Sequence, residues 1–137
     1  MKPAELRRLL PELSELAIEC GGELGIELDG SRASVAAVER LLGMLHEEYK
    51  REPNEQGADR RAFEFAGYLI GVLEREGPAG EWRPDHPERG RGSFPFRWRG
   101  QDLFVVDWCW TRIVEGPTVD VGRLFESACS GGAPSDR

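Results

Sequence analysis

The stretch FEFAGYLIGVLEREGPAGEW, residues 63–82, decides the fold because its middle carries no charged side chain from Phe65 to Leu73. A helix that is apolar on every side is normally buried inside a protein. We therefore predict a buried helix over residues 60–76, around which the other elements pack.

Two glycines, Gly67 and Gly71, lie four residues apart inside this helix. A phosphate-binding loop places its glycines before a helix, where free N–H groups point at the anion, and no GxGxxG or GxxxxGK[ST] motif accompanies these two. Each interior glycine costs a helix about 0.5–1 kcal/mol relative to alanine. We therefore predict that Gly67, Gly71 and nearby Ala66 form a bare face against which another element packs.

The ends of the helix also carry signals. Asp59 is the predicted N-cap. Gly77 is predicted to adopt a left-handed conformation after the last turn, and Pro78 prevents the helix from continuing.

Helical spacing of apolar residues and the positions of prolines and glycines divide the rest of the chain. Pro11 either kinks the first helix or splits it in two, and Gly21 and Gly22 are expected to end it. The pattern predicts helices over residues 3–19, 32–50 and 120–128, and short strands at residues 24–28, 81–83, 94–98 and 102–106. Arg99–Gln101 is expected to join the last two strands in a hairpin, Asp107 is a candidate N-cap, and residues 108–114 fit either a helix or a continuing strand.

These elements predict one α+β domain over residues 1–128. Its N-terminal helices pack on a small antiparallel sheet, and a short helix closes the domain. Residues 129–137, CSGGAPSDR, are predicted to be a disordered tail.

Composition narrows the class of partner. The 137-residue chain has a formal net charge of −7, which disfavours binding to nucleic acid or to an anionic membrane surface. No apolar run approaches the ~20 residues that span a bilayer, and the N-terminus lacks the apolar region of a signal peptide. We expect a cytoplasmic protein.

Residues that carry catalysis or hold metals are scarce. The three cysteines are widely spaced without a CxxC pair, and the two histidines are His46 and His86. The sequence contains no zinc-ligand spacing and no local motif of a hydrolase or metalloprotease. We therefore expect no metal, no cofactor and no catalytic residue.

All four tryptophans lie between residues 82 and 110, and five arginines lie between Trp82 and Arg99. Both residue types are enriched at the energetic centres of protein interfaces, so we predict a non-enzymatic protein-binding domain that uses Arg83, Arg97, Trp98 and Arg99. An immunity-like role against a basic toxin, or a chaperone-like role for a secreted partner, fits an acidic chain. Self-association through an exposed tryptophan face is a third option.

The competing hypothesis is an enzyme or a small-ligand sensor. Its pocket would lie between helix 60–76 and the sheet, and Tyr68, Asp107 and Arg112 would converge there.

The segment Gly67-Tyr68-Leu69, with Gly71, Arg75 and Gly80-Glu81-Trp82, resembles small bacterial domains of unknown function. Leu28-Asp29, Ser31, Ser34, Gly116 and Phe125 extend the resemblance over residues 26–128. The resemblance implies an α+β fold and does not indicate an activity. Those domains often carry an acid after the second glycine, where this chain has Val72.

Overall fold

The computed structural model describes residues 2–83 and 94–131. The described residues form helices α1 (Pro3–Glu23), α2 (Val35–Arg51), α3 (Glu55–Glu76), α4 (Val105–Glu115) and α5 (Val121–Cys129), a 3-10 turn (Arg32–Ser34), and strands β1 (Glu81–Trp82), β2 (Phe96–Trp98) and β3 (Gln101–Leu103). The predicted α+β class is confirmed: N-terminal helices precede a small antiparallel sheet, and a short helix follows it. No helix among these residues is both long enough and apolar enough to cross a membrane.

Helix α3 is the buried helix that the sequence predicts. Every residue from Glu64 to Ile70 is buried, as are Val72 and Leu73. The helix begins earlier than predicted, because the side chain of Asn54, and not that of Asp59, accepts a hydrogen bond from the Gly57 N–H and caps it (2.9 Å).

The two interior glycines of α3 have different surroundings. A Cβ atom on Gly67 would lie 2.7 Å from the Leu13 Cβ atom, whereas a Cβ on Gly71 would meet no atom within 4 Å. The prediction of a bare packing face is therefore confirmed at Gly67, where α1 presses on the α3 backbone, and wrong at Gly71.

Gly77 ends α3 in an extended conformation (φ −152°, ψ −154°). The predicted left-handed cap is therefore wrong. A Cβ on Gly77 would lie 2.8 Å from Cζ2 of Trp98, so this position is small because a tryptophan ring packs on it.

Helix α1 is continuous through Pro11 and reaches Glu23, past both glycines that were expected to end it. Gly21 lies inside the helix, and a Cβ there would lie 2.6 Å from the Ile26 carbonyl oxygen, so only glycine lets the following turn pack this closely. The same turn explains why the predicted strand at residues 24–28 is wrong: the Ile26 N–H donates back to the Gly21 carbonyl (2.7 Å), so this segment folds against the helix end.

An ion pair joins α1 to the end of α3. The two guanidinium nitrogens Nη1 and Nη2 of Arg7 donate to the two carboxylate oxygens of Glu74 (2.9 and 2.8 Å), and the Gly80 N–H donates to the same carboxylate (2.7 Å). Partial burial disfavours ionisation of Glu74, but these hydrogen bonds hold its pKa below the usual range.

The three strands form an antiparallel sheet in the order β1-β2-β3, with Trp82 opposite Phe96 and Phe96 opposite Leu103. The predicted hairpin is confirmed, although Gln101 already belongs to β3: Arg99 and Gly100 both have positive φ (51° and 76°) at the turn, as a type I′ turn requires.

The residues that follow this hairpin become helical earlier in the chain than predicted. The predicted strand 102–106 ends at Leu103, since Val105 already begins α4. Residues 108–114 are helical. The N-cap of α4 is Phe104, so the capping prediction for Asp107 is wrong. Asp120, the first residue of the predicted last helix, is the N-cap of α5, because its side chain accepts from the Arg123 N–H (3.0 Å).

The predicted disordered tail is described only in part. Cys129 is the last residue of α5 and does not belong to a tail. Residues 132–137 lie outside the described residues.

Candidate functional site

Trp98, the main residue of the predicted partner surface, lies in the core. Its side chain is 1% exposed, and its indole N–H donates to the Pro78 carbonyl oxygen (2.8 Å). The prediction that it contacts a partner from the surface is wrong, because strand alternation turns Trp98 to the same inner face as Phe96 and exposes Arg97 between them.

Arg99 is exposed but makes two internal contacts. Its guanidinium lies over the Trp98 ring, 4.6 Å from the ring centroid, and its Nη1 donates to the Cys129 carbonyl oxygen (2.9 Å). Arg99 therefore ties the hairpin to the C-terminal end of α5.

The other two predicted arginines lie on the outer face of the sheet beside acidic residues. Arg97 pairs with Asp102 across the strands (3.1 Å), and Arg83 lies 3.8 Å from Glu81. Both arginines are exposed, and the adjacent carboxylates reduce the positive potential that this face offers to an acidic partner.

Two residues of the alternative pocket, Tyr68 and Arg112, make separate structural contacts. The Tyr68 hydroxyl accepts from the Gly30 N–H (2.7 Å) and bonds to Ser34 Oγ (2.6 Å), which anchors the loop before α2 on α3. Asp107 is exposed on α4, and five residues separate it from Arg112, or about 140° around the helix axis.

Arg112 belongs to a partly buried ion pair between helices. Its Nε donates to Glu39 Oε2 (2.6 Å), while Glu39 Oε1 accepts from the Val121 N–H (2.8 Å). The carboxylate of Glu39 thus links α2, α4 and the start of α5.

The thiol of Cys109 is a poor nucleophile. Its pKa is raised by burial and, to a smaller extent, by the negative charge of Glu39.

A second charged group, which the sequence analysis did not identify, is buried in α3. The Glu64 side chain lies 2.7 Å from Arg61 Nη1 and 3.8 Å from Arg60 Nε, and Glu64 is 1% exposed. Its spacing of three and four residues from two arginines is the signal that could have revealed it.

These arginines border a cavity of about 150 Å³ where the end of α2 meets the start of α3, which we call the α2–α3 cavity. Its apolar wall comes from Leu45, Ala58 and Ile113. Carboxylates and guanidiniums also line it, so it can contact both apolar and charged groups. Tyr68, Asp107 and Arg112 do not line it.

The outward side of α1 is strongly acidic. Five exposed residues recur at helical spacing along it, and we call them the α1 acidic face: Glu12, Glu15, Leu16, Glu19 and Glu23. Leu16 is 36% exposed, which is high for a large apolar side chain. None of the four glutamates forms an ion pair with a described residue.

Within residues 2–83 and 94–131, no group of three or more histidine, cysteine, aspartate or glutamate side chains is arranged to hold a metal ion. Comparisons with protein-family models, with curated proteins and with solved structures find no match. The resemblance to small bacterial domains therefore stays a prediction, and the functional argument rests on the geometry of this chain.

Proposed function

We propose that this chain is a non-enzymatic protein-binding domain that contacts a basic partner through the α1 acidic face. The observation that carries the proposal is the set of exposed glutamates around Leu16 that have no ion pair among the described residues. Opposite charge on a partner would steer its approach, and an apolar contact at the centre would exclude water.

The position of α1 suits this role. The inner side of the helix is buried at Leu6, Leu10 and Ala17. Leu13 packs on the α3 backbone at Gly67. A helix held this firmly presents its outer side chains at fixed spacing, which reduces the entropy lost when a partner binds.

The arginine and tryptophan surface predicted from the sequence is a weaker basis for binding. Trp98 is buried and Arg99 is occupied by contacts with Trp98 and Cys129. The acidic face instead favours a partner of opposite charge, and it disfavours pairing of two copies through α1, because like charges would face each other.

A basic partner is compatible with the immunity-like and chaperone-like roles considered above, and both assume a cytoplasmic location. In either role, the domain would cover a cationic surface of its partner. These roles differ in the identity of the partner, which capture experiments establish.

The test is affinity capture from a lysate of the native host, with three versions of the protein. The charge-reversal variant E12K/E15K/E19K alters the α1 acidic face. The control variant E27K/D59K/E115K changes the net charge equally at exposed acids elsewhere, none of which forms an ion pair with a described residue.

We expect the wild type and the control to enrich the same basic protein. We expect the charge-reversal variant to capture it about tenfold less or weaker still, with wild-type capture falling as salt rises. Equal capture by the charge-reversal variant, or a partner that is itself acidic, contradicts the proposal. Thermal unfolding of each variant checks that all remain folded.

A further inference from the structure

The α2–α3 cavity offers charges of both signs around an apolar wall. Glu48 and Glu52 line it, and neither carboxylate forms an ion pair with a described residue. Arg60 and Arg61 line it as well. A ligand that satisfied all of these groups would itself carry both a cation and an anion.

The two arginines differ in how firmly they are held. Arg61 lies 2.7 Å from the buried carboxylate of Glu64 and is fixed by it, whereas Arg60 lies 3.8 Å away and its side chain is 65% exposed. Arg60 therefore keeps guanidinium donors available for a second carboxylate, and a planar guanidinium can bind a carboxylate through two hydrogen bonds.

The two helix ends that border the cavity also carry partial charges of opposite sign. Helix α2 ends at Arg51, and α3 begins at Glu55, so the negative end of one helix dipole and the positive end of the other both border the cavity. The carboxylates of Glu48 and Glu52 lie at the negative end, where a cation is favoured. Asn54 and Gly57, which also line the cavity, lie at the positive end.

The uncharged residues that line the cavity limit the size and polarity of the uncharged part of the ligand. Leu45, Ala58 and Ile113 provide an apolar wall, and Tyr49 lies beside them. The volume of about 150 Å³ is close to that of cavities that hold a benzene-sized molecule. A short aliphatic group fits this space.

We propose that the α2–α3 cavity binds a small aliphatic zwitterion, of the class of a free amino acid. The ammonium group lies against Glu48 and Glu52, the carboxylate against Arg60, and the aliphatic side chain against Leu45 and Ile113. This inference is independent of the α1 acidic face, because the charge-reversal variant of that face leaves every lining residue unchanged.

The test compares three probes that share one isobutyl skeleton: L-valine, isobutylamine, which lacks the carboxylate, and isovalerate, which lacks the ammonium. Each is titrated into the isotopically labelled full chain while amide shifts are followed by NMR. We expect valine to shift the amides of Leu45, Ala58 and Ile113 with a Kd on the order of 1 mM, the range for so small a ligand. Each single-charge analogue is expected to bind about tenfold more weakly.

Three variants locate the charges. We expect R60Q and E48Q/E52Q each to weaken valine binding about tenfold, because each removes one of the two complementary charges. Arg40 is exposed on α2 outside the cavity lining, so R40Q serves as the control and is expected to bind like the wild type. The amide spectrum without ligand confirms that each variant is folded.

Several outcomes overturn the proposal. The proposal is wrong if the amide shifts do not saturate by about 20 mM valine, well above the expected Kd. It is also wrong if isobutylamine or isovalerate binds as tightly as valine. Shifts confined to residues outside the cavity, or wild-type affinity in both cavity variants, also overturn it.

Discussion

Gly67 and Gly71 lie one turn apart on the same helix, yet they have opposite surroundings. The α1 side chain of Leu13 presses on the backbone at Gly67, while the space beside Gly71 is open to 4 Å. Gly77, just past the helix end, resembles Gly67, since Trp98 packs on it. Glycine spacing alone therefore does not reveal close packing, because packing depends on which element covers each position.

The largest expected effect concerns the Trp98 ring that covers Gly77. W98A should lower the free energy of unfolding by about 3–5 kcal/mol, because it removes a fully buried aromatic side chain and leaves a cavity. Chemical denaturation measures this loss. R97A, at the neighbouring exposed position, is the control and should cost less than about 1 kcal/mol. A W98A protein as stable as the wild type would show that the ring does not pack in the core.

The substitution G67A tests the closed position directly. The new Cβ would lie 2.7 Å from Leu13 Cβ, so α1 and α3 must separate or shift. The cost of overpacking exceeds the gain in helix propensity, and we expect a net loss of about 1–2 kcal/mol. Urea denaturation provides the measurement, and unchanged or increased stability would contradict the close approach of α1.

The matched substitution G71A tests the open position on the same helix. Since a Cβ there meets nothing within 4 Å, the substitution keeps its helix-propensity gain without overpacking. We expect stability to rise by about 0.5–1 kcal/mol. We expect the changes in the free energy of unfolding of G67A and G71A to have opposite signs under the same denaturation conditions. Two losses of similar size would contradict the difference between the two positions.

The smallest expected effect concerns the Arg7–Glu74 pair, which holds α1 against α3 on the closed side. E74Q should cost less than about 1 kcal/mol at pH 7, as partly exposed ion pairs do. The folded-state pKa of Glu74 is lowered, so this stabilisation is complete above the unfolded pKa of about 4.3 and disappears as pH falls through the folded value.

Melting temperatures of wild type and E74Q, measured between pH 7 and pH 3, check the sign of this effect. The difference between the two curves should shrink as pH falls below about 4.3. A difference that stays constant to pH 3 would show that the stabilisation does not come from the carboxylate charge.

The elements that could be predicted are those whose signals are local. The uncharged run in α3, the short helix near residues 120–128 and the hairpin at Arg99–Gln101 depend on neighbouring residues, so their chemistry is visible in the chain. The start of α4 was misjudged because DLFVV is apolar and β-branched, a composition that suits a strand as well as the buried side of a helix.

The candidate sites were harder to predict. A tryptophan in the sequence is compatible with either a partner surface or the core. The side chain of Trp98 points inward because of the way its strand is paired in the sheet. The α2–α3 cavity joins residues of three helices, including Ile113, which is more than fifty positions from Ala58 in the chain. Residues so distant in sequence meet only through packing, and periodicity carries no information about that.

The sequence by itself determined the α+β class, the burial of α3 and the acidity of the molecule, because hydrophobic periodicity, turn chemistry and charge are properties of short segments and of composition. Only the tertiary structure decided which glycine is covered, which aromatic ring lies in the core and which charges border a cavity. Those depend on the distances between elements, and the packing of the whole chain sets these distances.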